Sequence, residues 1–439
     1  MKYDLVIHNA LIVTVDPDFT IINPGVIGIK NGKLVRIGPQ PEGSVFFDAA
    51  GVIDAAGGIV MPGLVNTHTH LPMTLFRGLA DDLPLMEWLN DHIFPAEARH
   101  IRPDTVQWAT RLACAEMLLS GTTTCCDGYF LEHVVAEAVD ASGMRAVLGQ
   151  GIIDFPAPGV PDPSKNIETA VRFVKKWQNR SSRIRPSVFC HSPYTCGEDT
   201  LKKAKQTADE HGVLFQIHAA ETKGEADRFQ TDHGVSPIQY LERIGVLDEN
   251  TLLVHAVWVD DDDIGIIAGS GAGVSHNPES NMKLASGIAP VEKMLRAGVC
   301  VGLGTDGCAS NNDLDLFQDM DLTAKLHKAH TLDPTATCAR AVVEMATAGG
   351  ADTIGLSSEI GSLEIGKQAD LIILDTCRPH LVPLYHPESH IVYAARGSDV
   401  RDVIVGGKVL VKNRQVKTLD VGEVMTQVNR IAGKIRAQD

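Results

Sequence analysis

The sequence predicts an α/β chain: a (β/α)8 TIM barrel over residues 61–364, with a small β-sandwich domain formed from residues 1–60 and 365–439 together. Three observations point there. In the middle of the chain, eight strand-like runs alternate with helix-forming sequence, as parallel strands joined by crossover helices require. Both ends carry short β-branched runs, which bury their apolar faces most readily against each other. Six of the eight middle runs end in His or Asp, at the C-terminal strand ends where such barrels hold their chemistry.

At 439 residues the chain is too long for one small core, which suits a large domain plus an accessory one. Apolar residues make up 44% and charged residues 21%, the balance of an ordinary globular protein. The formal charge of −16 disfavours nucleic-acid and anionic-membrane surfaces, which need clustered Lys and Arg. No apolar stretch is long enough for a transmembrane helix. The start, Met1-Lys2-Tyr3-Asp4-Leu5-Val6-Ile7, lacks the features of a secretory leader. Nine cysteines without a Cys-x-x-Cys pair fit reduced thiols, and adjacent Cys125 and Cys126 fit strand packing. A cytoplasmic location is expected.

Residues 3–60 alternate β-branched runs with turns, and Asn31-Gly32 is a strong hairpin signal. The same texture returns in 369–375 and 403–411, followed by a C-terminal helix. Between them the strands are read at 59–68, 122–126, 145–149, 187–191, 213–218, 251–255, 273–276 and 299–304. Helical patterns at 105–119, 132–142, 199–211, 237–244 and 290–297 separate them. The acidic run 260–263 reads as a helix start, where carboxylates oppose the positive dipole end.

The first strand ends in His68-Thr69-His70, a spacing that puts both imidazoles on one face. Neutral imidazole nitrogens hold borderline divalent metals, so this pair is half a site. The fourth strand ends in His191, the fifth in His218 with Glu221 beyond it, and the sixth in His255. His276 ends the seventh, and the eighth closes with Gly304-Thr305-Asp306-Gly307. Together these ends read as a metal site.

The residues Pro62-Gly63-Leu64-Val65-Asn66-Thr67-His68-Thr69-His70, Arg77-Gly78-Leu79-Ala80-Asp81-Asp82, His191-Ser192-Pro193-Tyr194, His276-Asn277-Pro278-Glu279-Ser280-Asn281 and Gly304-Thr305-Asp306-Gly307 carry a resemblance. Over nearly its whole length the chain resembles the amidohydrolase superfamily, specifically the 5-methylthioadenosine/S-adenosylhomocysteine deaminases near the triazine-type chlorohydrolases. The resemblance implies His68, His70, His218 and Asp306 as ligands of one divalent ion per subunit. Zinc is expected, with Fe2+ or Mn2+ as alternatives. Two-metal members carry a bridging lysine at the end of strand four, and Phe189-Cys190-His191-Ser192-Pro193 has none. A zinc-type ion lowers the pKa of bound water from ~16 to roughly 7, giving a nucleophile for an electron-poor ring carbon. Deamination then needs a proton shuttle, for which Glu221 stands three residues beyond His218. His255 is placed to deprotonate or orient the water, and Asp306 to double as proton acceptor. The zinc site of cytidine deaminases, His-x-Glu with Pro-Cys-x-x-Cys, is absent.

For the substrate, the resemblance implies that Glu97 holds the ribose hydroxyls, a task suited to a carboxylate accepting two O–H groups. It places His191 against purine or ribose, and Trp88 as an apolar wall. Where relatives gripping a homocysteine carboxylate carry arginine, this chain has Gln150, followed by Asp154-Phe155-Pro156-Ala157-Pro158-Gly159. That favours methylthioadenosine or adenosine over S-adenosylhomocysteine. The rival readings are a guanine, cytosine or s-triazine hydrolase, which has no use for Glu97, and a non-enzymatic metal-binding scaffold. The partners expected are a small-molecule nucleoside and further copies of the chain, with no nucleic acid and no membrane.

Overall fold

A computed structural model describes residues 2–41 and 48–437; Met1, 42–47 and 438–439 of the expected domains lie outside the described residues. The N-terminal segment supplies β1 (Tyr3–Val13), β2 (Ile21–Lys30), β3 (Lys33–Pro39), β4 (Ala49–Asp54) and β5 (Ile59–Pro62). Asn31 and Gly32 turn β2 into β3 with φ of 52° and 77°, the left-handed pair that a two-residue hairpin requires. The barrel follows as β6 (Leu64–Thr69), β7 (Thr122–Tyr129), β8 (Arg145–Ile152), β9 (Ile184–Cys190), β10 (Phe215–Ala219), β11 (Thr251–His255), β12 (Gly273–His276) and β13 (Val301–Leu303). The C-terminal segment adds β14 (Leu371–Leu374), β15 (Val400–Val405), β16 (Lys408–Lys412), β17 (Gln415–Val416) and a helix, Val421–Arg436.

The terminal strands form one hydrogen-bonded sheet in the order β17-β16-β15-β14-β5-β1-β2-β3, with β4 on β1. Most neighbours are antiparallel; β1 pairs in parallel with β4 and β5. β5 joins the two ends of the chain, because it pairs with β1 on one side and β14 on the other. Ile7, Ile12, Ile27, Ile29, Leu34 and Ile373 fill the core of this sheet and are buried.

The run 59–68, expected as one strand, is divided at Gly63. Its first half belongs to the terminal sheet and its second half begins the barrel. Gly63 donates its N–H to Asp370 O at 3.1 Å, and a Cβ there would lie 2.2 Å from the Thr123 side chain. Only glycine passes that point, so the apolar run continues while the sheet changes.

The eight barrel strands are parallel and in sequence order. Closure between the last and first comes from a bridge between Thr69 and Asp306, with Asp306 N donating to His68 O at 3.0 Å. β7 continues to Tyr129, three residues past its expected end at 126, and Cys125 and Cys126 pack inside it. The acidic run caps a helix as expected: Asp260 accepts from Asp263 N at 2.9 Å ahead of Asp261–Ser270. Helices Asn166–Trp177, Lys223–His233 and Leu316–Thr331 follow β8, β10 and β13 and extend the expected alternation of strand and helix.

Barrel and terminal sheet meet over a buried ion pair. Arg145, at the start of β8, holds Asp370 at 2.7 Å, with side chains 3% and 2% exposed. Asp370 also accepts from Gly406 N at 2.6 Å. Removing one member strands the other charge in a dry interface. Arg145→Ala is expected to lose about 3–5 kcal/mol of stability in a denaturant titration. Lys293→Ala, which breaks the exposed pair with Asp261, should change stability little by comparison.

Candidate active site

β6 delivers the first two side chains. Strand alternation turns His68 and His70 to the same side, His68 fully buried and His70 8% exposed. His70 Nδ1 donates to Gly128 O at 2.6 Å, which leaves its Nε2 lone pair facing the barrel axis. From the end of β10, His218 brings its Nε2 to 3.1 Å from that of His68. Asp306, just past β13, sets Oδ1 at 3.4 Å from the Nε2 of both His68 and His70. Its other contacts are all donors: Gly307 N at 2.8 Å to Oδ1, and Ser280 and Ser310 hydroxyls at 2.7 and 3.0 Å to Oδ2.

Burial drives the imidazoles toward neutrality. His68 is pushed down to about 4, His70 is lowered, and His218 lies well below the usual range. Burial alone would raise Asp306, but the His68 hydrogen bond and the His70 and His68 charges hold it well below its ordinary value. Ring nitrogens of His68, His70 and His218, each able to act as a metal ligand, all lie within 4.8 Å of one another. Two neutral imidazoles do not face their Nε2 lone pairs at 3.1 Å without a proton or cation between them. Three imidazoles and one carboxylate converging this way fit a zinc-type ion.

The shuttle candidates stand beside this cluster. Glu221 is 6% exposed, with Oε2 at 3.8 Å from His255 Nε2 and the Ser286 hydroxyl at 3.4 Å from Oε1. Burial raises its pKa and His255 opposes the rise. His255 itself sits at φ 79°, and its Nδ1 donates to Asn281 Oδ1 at 2.9 Å, so Nε2 is the free lone pair toward Glu221.

These groups border one cavity that opens to solvent. Glu97 lines its wall, 3% exposed, and accepts from the Tyr129 hydroxyl at 2.5 Å. Burial pushes Glu97 up to about 7, against the Tyr129 hydrogen bond. His191 also lines the cavity, its Nδ1 2.9 Å from the Thr195 hydroxyl, and burial takes it down to about 3. Trp88 adds an apolar face, its ring fixed by Nε1 donating to Ala80 O at 3.1 Å. Among the described residues lining this cavity none is Lys or Arg.

Of the residues singled out from the sequence, His68, His70, His218, Asp306, Glu221, His255, Glu97, His191 and Trp88 border this one cavity or the cluster beneath it. Two more do not reach it. His276 ends its strand as expected but turns away, with Nε2 3.2 Å from His327 Nε2. Gln150 faces a second cavity and is engaged by Glu132 N and Gly151 O. Three residues escaped the sequence reading. Tyr129 lay beyond the expected strand end. Asn281 stands inside the 276–281 motif, where nothing local points to its contact with His255. Glu225 accepts from Ala220 N and Glu221 N at 3.0 and 2.9 Å, clamping the turn that presents Glu221. Its signal was legible as Thr222-x-x-Glu225, an N-cap pattern opening a helix.

A parallel eight-stranded barrel with this donor set at its strand ends defines a metal-dependent hydrolase class, and the chain belongs to the amidohydrolase family, matched over residues 59–410. More particularly, it is 49% identical over 435 residues to a 5-methylthioadenosine/S-adenosylhomocysteine deaminase of Syntrophobacter fumaroxidans, covering 99% of both chains. It is 46% identical over 438 residues to a 5'-deoxyadenosine deaminase of Methanosarcina acetivorans, again covering 99% of each. Among solved structures, an adenosine deaminase from Xanthomonas campestris with bound zinc superposes with a TM-score of 0.96 at 37% identity, covering 99% of both chains.

Elemental analysis of the purified chain is expected to find about one divalent ion per chain. His218→Ala should lose it while keeping the far-ultraviolet dichroism of the folded barrel. A reproducible two ions per chain would overturn the single-site reading.

Proposed function

We propose that the chain is a zinc-dependent nucleoside deaminase. It replaces the 6-amino group of the adenine ring in 5'-methylthioadenosine, 5'-deoxyadenosine or adenosine by hydrolysis, giving the inosine analogue and ammonia. One observation carries this reading: a single cavity is bordered both by the cluster with its shuttle carboxyl and by a buried carboxyl suited to a diol. The names of the relatives support the same substrate class.

Zinc held by His68, His70, His218 and Asp306 would supply a Lewis acid that makes water nucleophilic at neutral pH. Glu221 carries protons between the water and the ring nitrogen through its carboxyl oxygens, and burial raises its pKa above the ordinary carboxylate value. His255 Nε2, aimed by Asn281, orients the attacking water and faces the alkoxide that develops on the ring carbon. Asp306 accepts the second proton that must reach the departing amine. Its serine and backbone donors fix the orientation of the carboxylate for that transfer.

Glu97 and His191 position the nucleoside. A desolvated Glu97 carboxyl gains most from two O–H donors on adjacent carbons, which favour its charged form. Trp88 and neighbouring Leu85, Leu89 and Phe94 offer an apolar wall to the 5' substituent. Without a cation in the lining, the carboxylate of S-adenosylhomocysteine has no partner there, so neutral 5' groups are preferred and this substrate ranks last. The nine unpaired thiols support a reducing cytoplasm as the working compartment, and assembly of copies into a homo-oligomer is part of the reading. No described helix is long and apolar enough to cross a membrane.

An ammonia-release screen of zinc-loaded protein against these nucleosides, guanine, cytosine and melamine tests the proposal. Turnover confined to guanine, cytosine or melamine would overturn it. Glu221→Gln should retain zinc and lose roughly 10²–10⁴ in rate. Glu97→Ala should lose roughly 2–4 kcal/mol of transition-state binding, read from kcat/KM for methylthioadenosine. The same variant should treat methylthioadenosine and 2',3'-dideoxyadenosine nearly alike, whereas the parent prefers the ribose substrate.

A further inference from the structure

Behind the metal cluster lies a pair of acids that the reaction does not use. Asp127, near the end of β7, is fully buried, and so is Glu132, the first residue of helix Glu132–Ser142. Asp127 Oδ1 accepts from the Thr69 hydroxyl and from Leu71 N, each at 2.7 Å. Those two residues flank His70. The next residue of β7, Gly128, takes the His70 Nδ1 proton on its carbonyl at 2.6 Å. This support is needed because the β6–β7 ladder is irregular there: Asn66 pairs with Cys125 but Thr69 with Asp127, an extra residue on the β6 side. A strand that bulges beside a site needs something other than its ladder to aim the side chains beyond the bulge.

Among the described residues, no N–H or O–H donor meets Asp127 Oδ2 or either Glu132 oxygen. The two carboxyl groups act on each other, and among the described residues no cation acts on either. Two ionised carboxylates do not share a dry site, so one proton lies between them. Asp127 already accepts two hydrogen bonds and is the better anion. Glu132 accepts none, and burial together with the Asp127 charge lifts it well above the usual carboxylate range.

We propose that Glu132 is a permanently protonated carboxylic acid that donates to Asp127, and that this pair positions His70 for metal binding through Thr69 and Leu71. The pair touches neither substrate nor metal. The proposal rests on the reading of His70 as a ligand, and its test separates the two.

Zinc affinity of the full-length protein, measured by competition with a chromogenic chelator, is compared across variants. Asp127→Asn and Glu132→Leu are expected to bind zinc about 10–100-fold more weakly, the usual effect of losing a partner that orients a ligand. Glu132→Gln keeps a donor of the same shape and should stay close to the parent. His70→Ala reports on the ligand assignment alone: parental affinity there would remove His70 from the site whatever the pair does. If His70→Ala weakens zinc but Glu132→Leu does not, or if Glu132→Gln is as impaired as Glu132→Leu, the positioning role fails. Infrared difference spectra of the parent against Glu132→Gln read the proton itself, independently of how stable the other variants are. The carbonyl stretch of a protonated carboxylic acid should be present at neutral pH and vanish in Glu132→Gln; its absence from the parent would overturn the proposal.

Discussion

An ionised carboxylate, Asp306, stands where the barrel closes, and the architecture around it exists to keep it charged and in place. Its backbone N–H closes the last strand onto the first by donating to His68 O, while its side chain faces His68 and His70. Closure of the fold and assembly of the site are therefore one interaction. The residue adopts φ 63°, a conformation that few non-glycine residues hold without support. The support is local: Ser280, Ser310 and Gly307 N all donate to the carboxylate. Gly307 has no alternative, since a Cβ there would fall 2.6 Å from Met73 Sδ and 3.2 Å from His70 Cβ.

Around this anion the other acids are held in the opposite sense. Glu97 is raised to about 7, Glu225 to about 8, and Glu221 is raised as well, each first by burial. Asp306 alone is depressed, because imidazoles and hydroxyls outweigh its burial. One pocket thus holds carboxyl groups of different duties without any change of residue type. Environment keeps one carboxyl ionised and moves the others toward their protonated forms, the kind of separation that acid and base steps in one site require.

The strand-end histidines were legible because barrel geometry converts position along a strand into position in space. His70, His191, His218 and His255 reach the same cavity for that reason, and His68 reaches the cluster beneath it. His276 obeyed the same rule in sequence and still turned aside, since its partner His327 sits on a distant helix that no local pattern announces. The same limit hid Tyr129 and Asn281, whose roles lie in contacts across 32 and 26 residues. Gly63 was visible as an interruption, yet only the proximity of Thr123 and Asp370 explains why one apolar run serves two sheets. Periodicity finds elements; it does not find which side chain from elsewhere will meet them.

The ion pair between Arg145 and Asp370 has a consequence for the order in which the molecule is made. All four residues of the cluster, the last being Asp306, leave the ribosome before β14 exists. Another 68 residues separate Asp306 from Leu374, which at ~5–20 residues per second is roughly 3–14 s of synthesis. During that interval β5 presents an unpaired edge, and Arg145 waits at the base of the barrel for its anion. The nascent chain is in this sense capped at the mouth before it is sealed at the floor. Emergence of Asp370 neutralises the waiting guanidinium and, one residue later, begins the strand that covers the open edge, so a single short segment ends both vulnerabilities of the newborn protein.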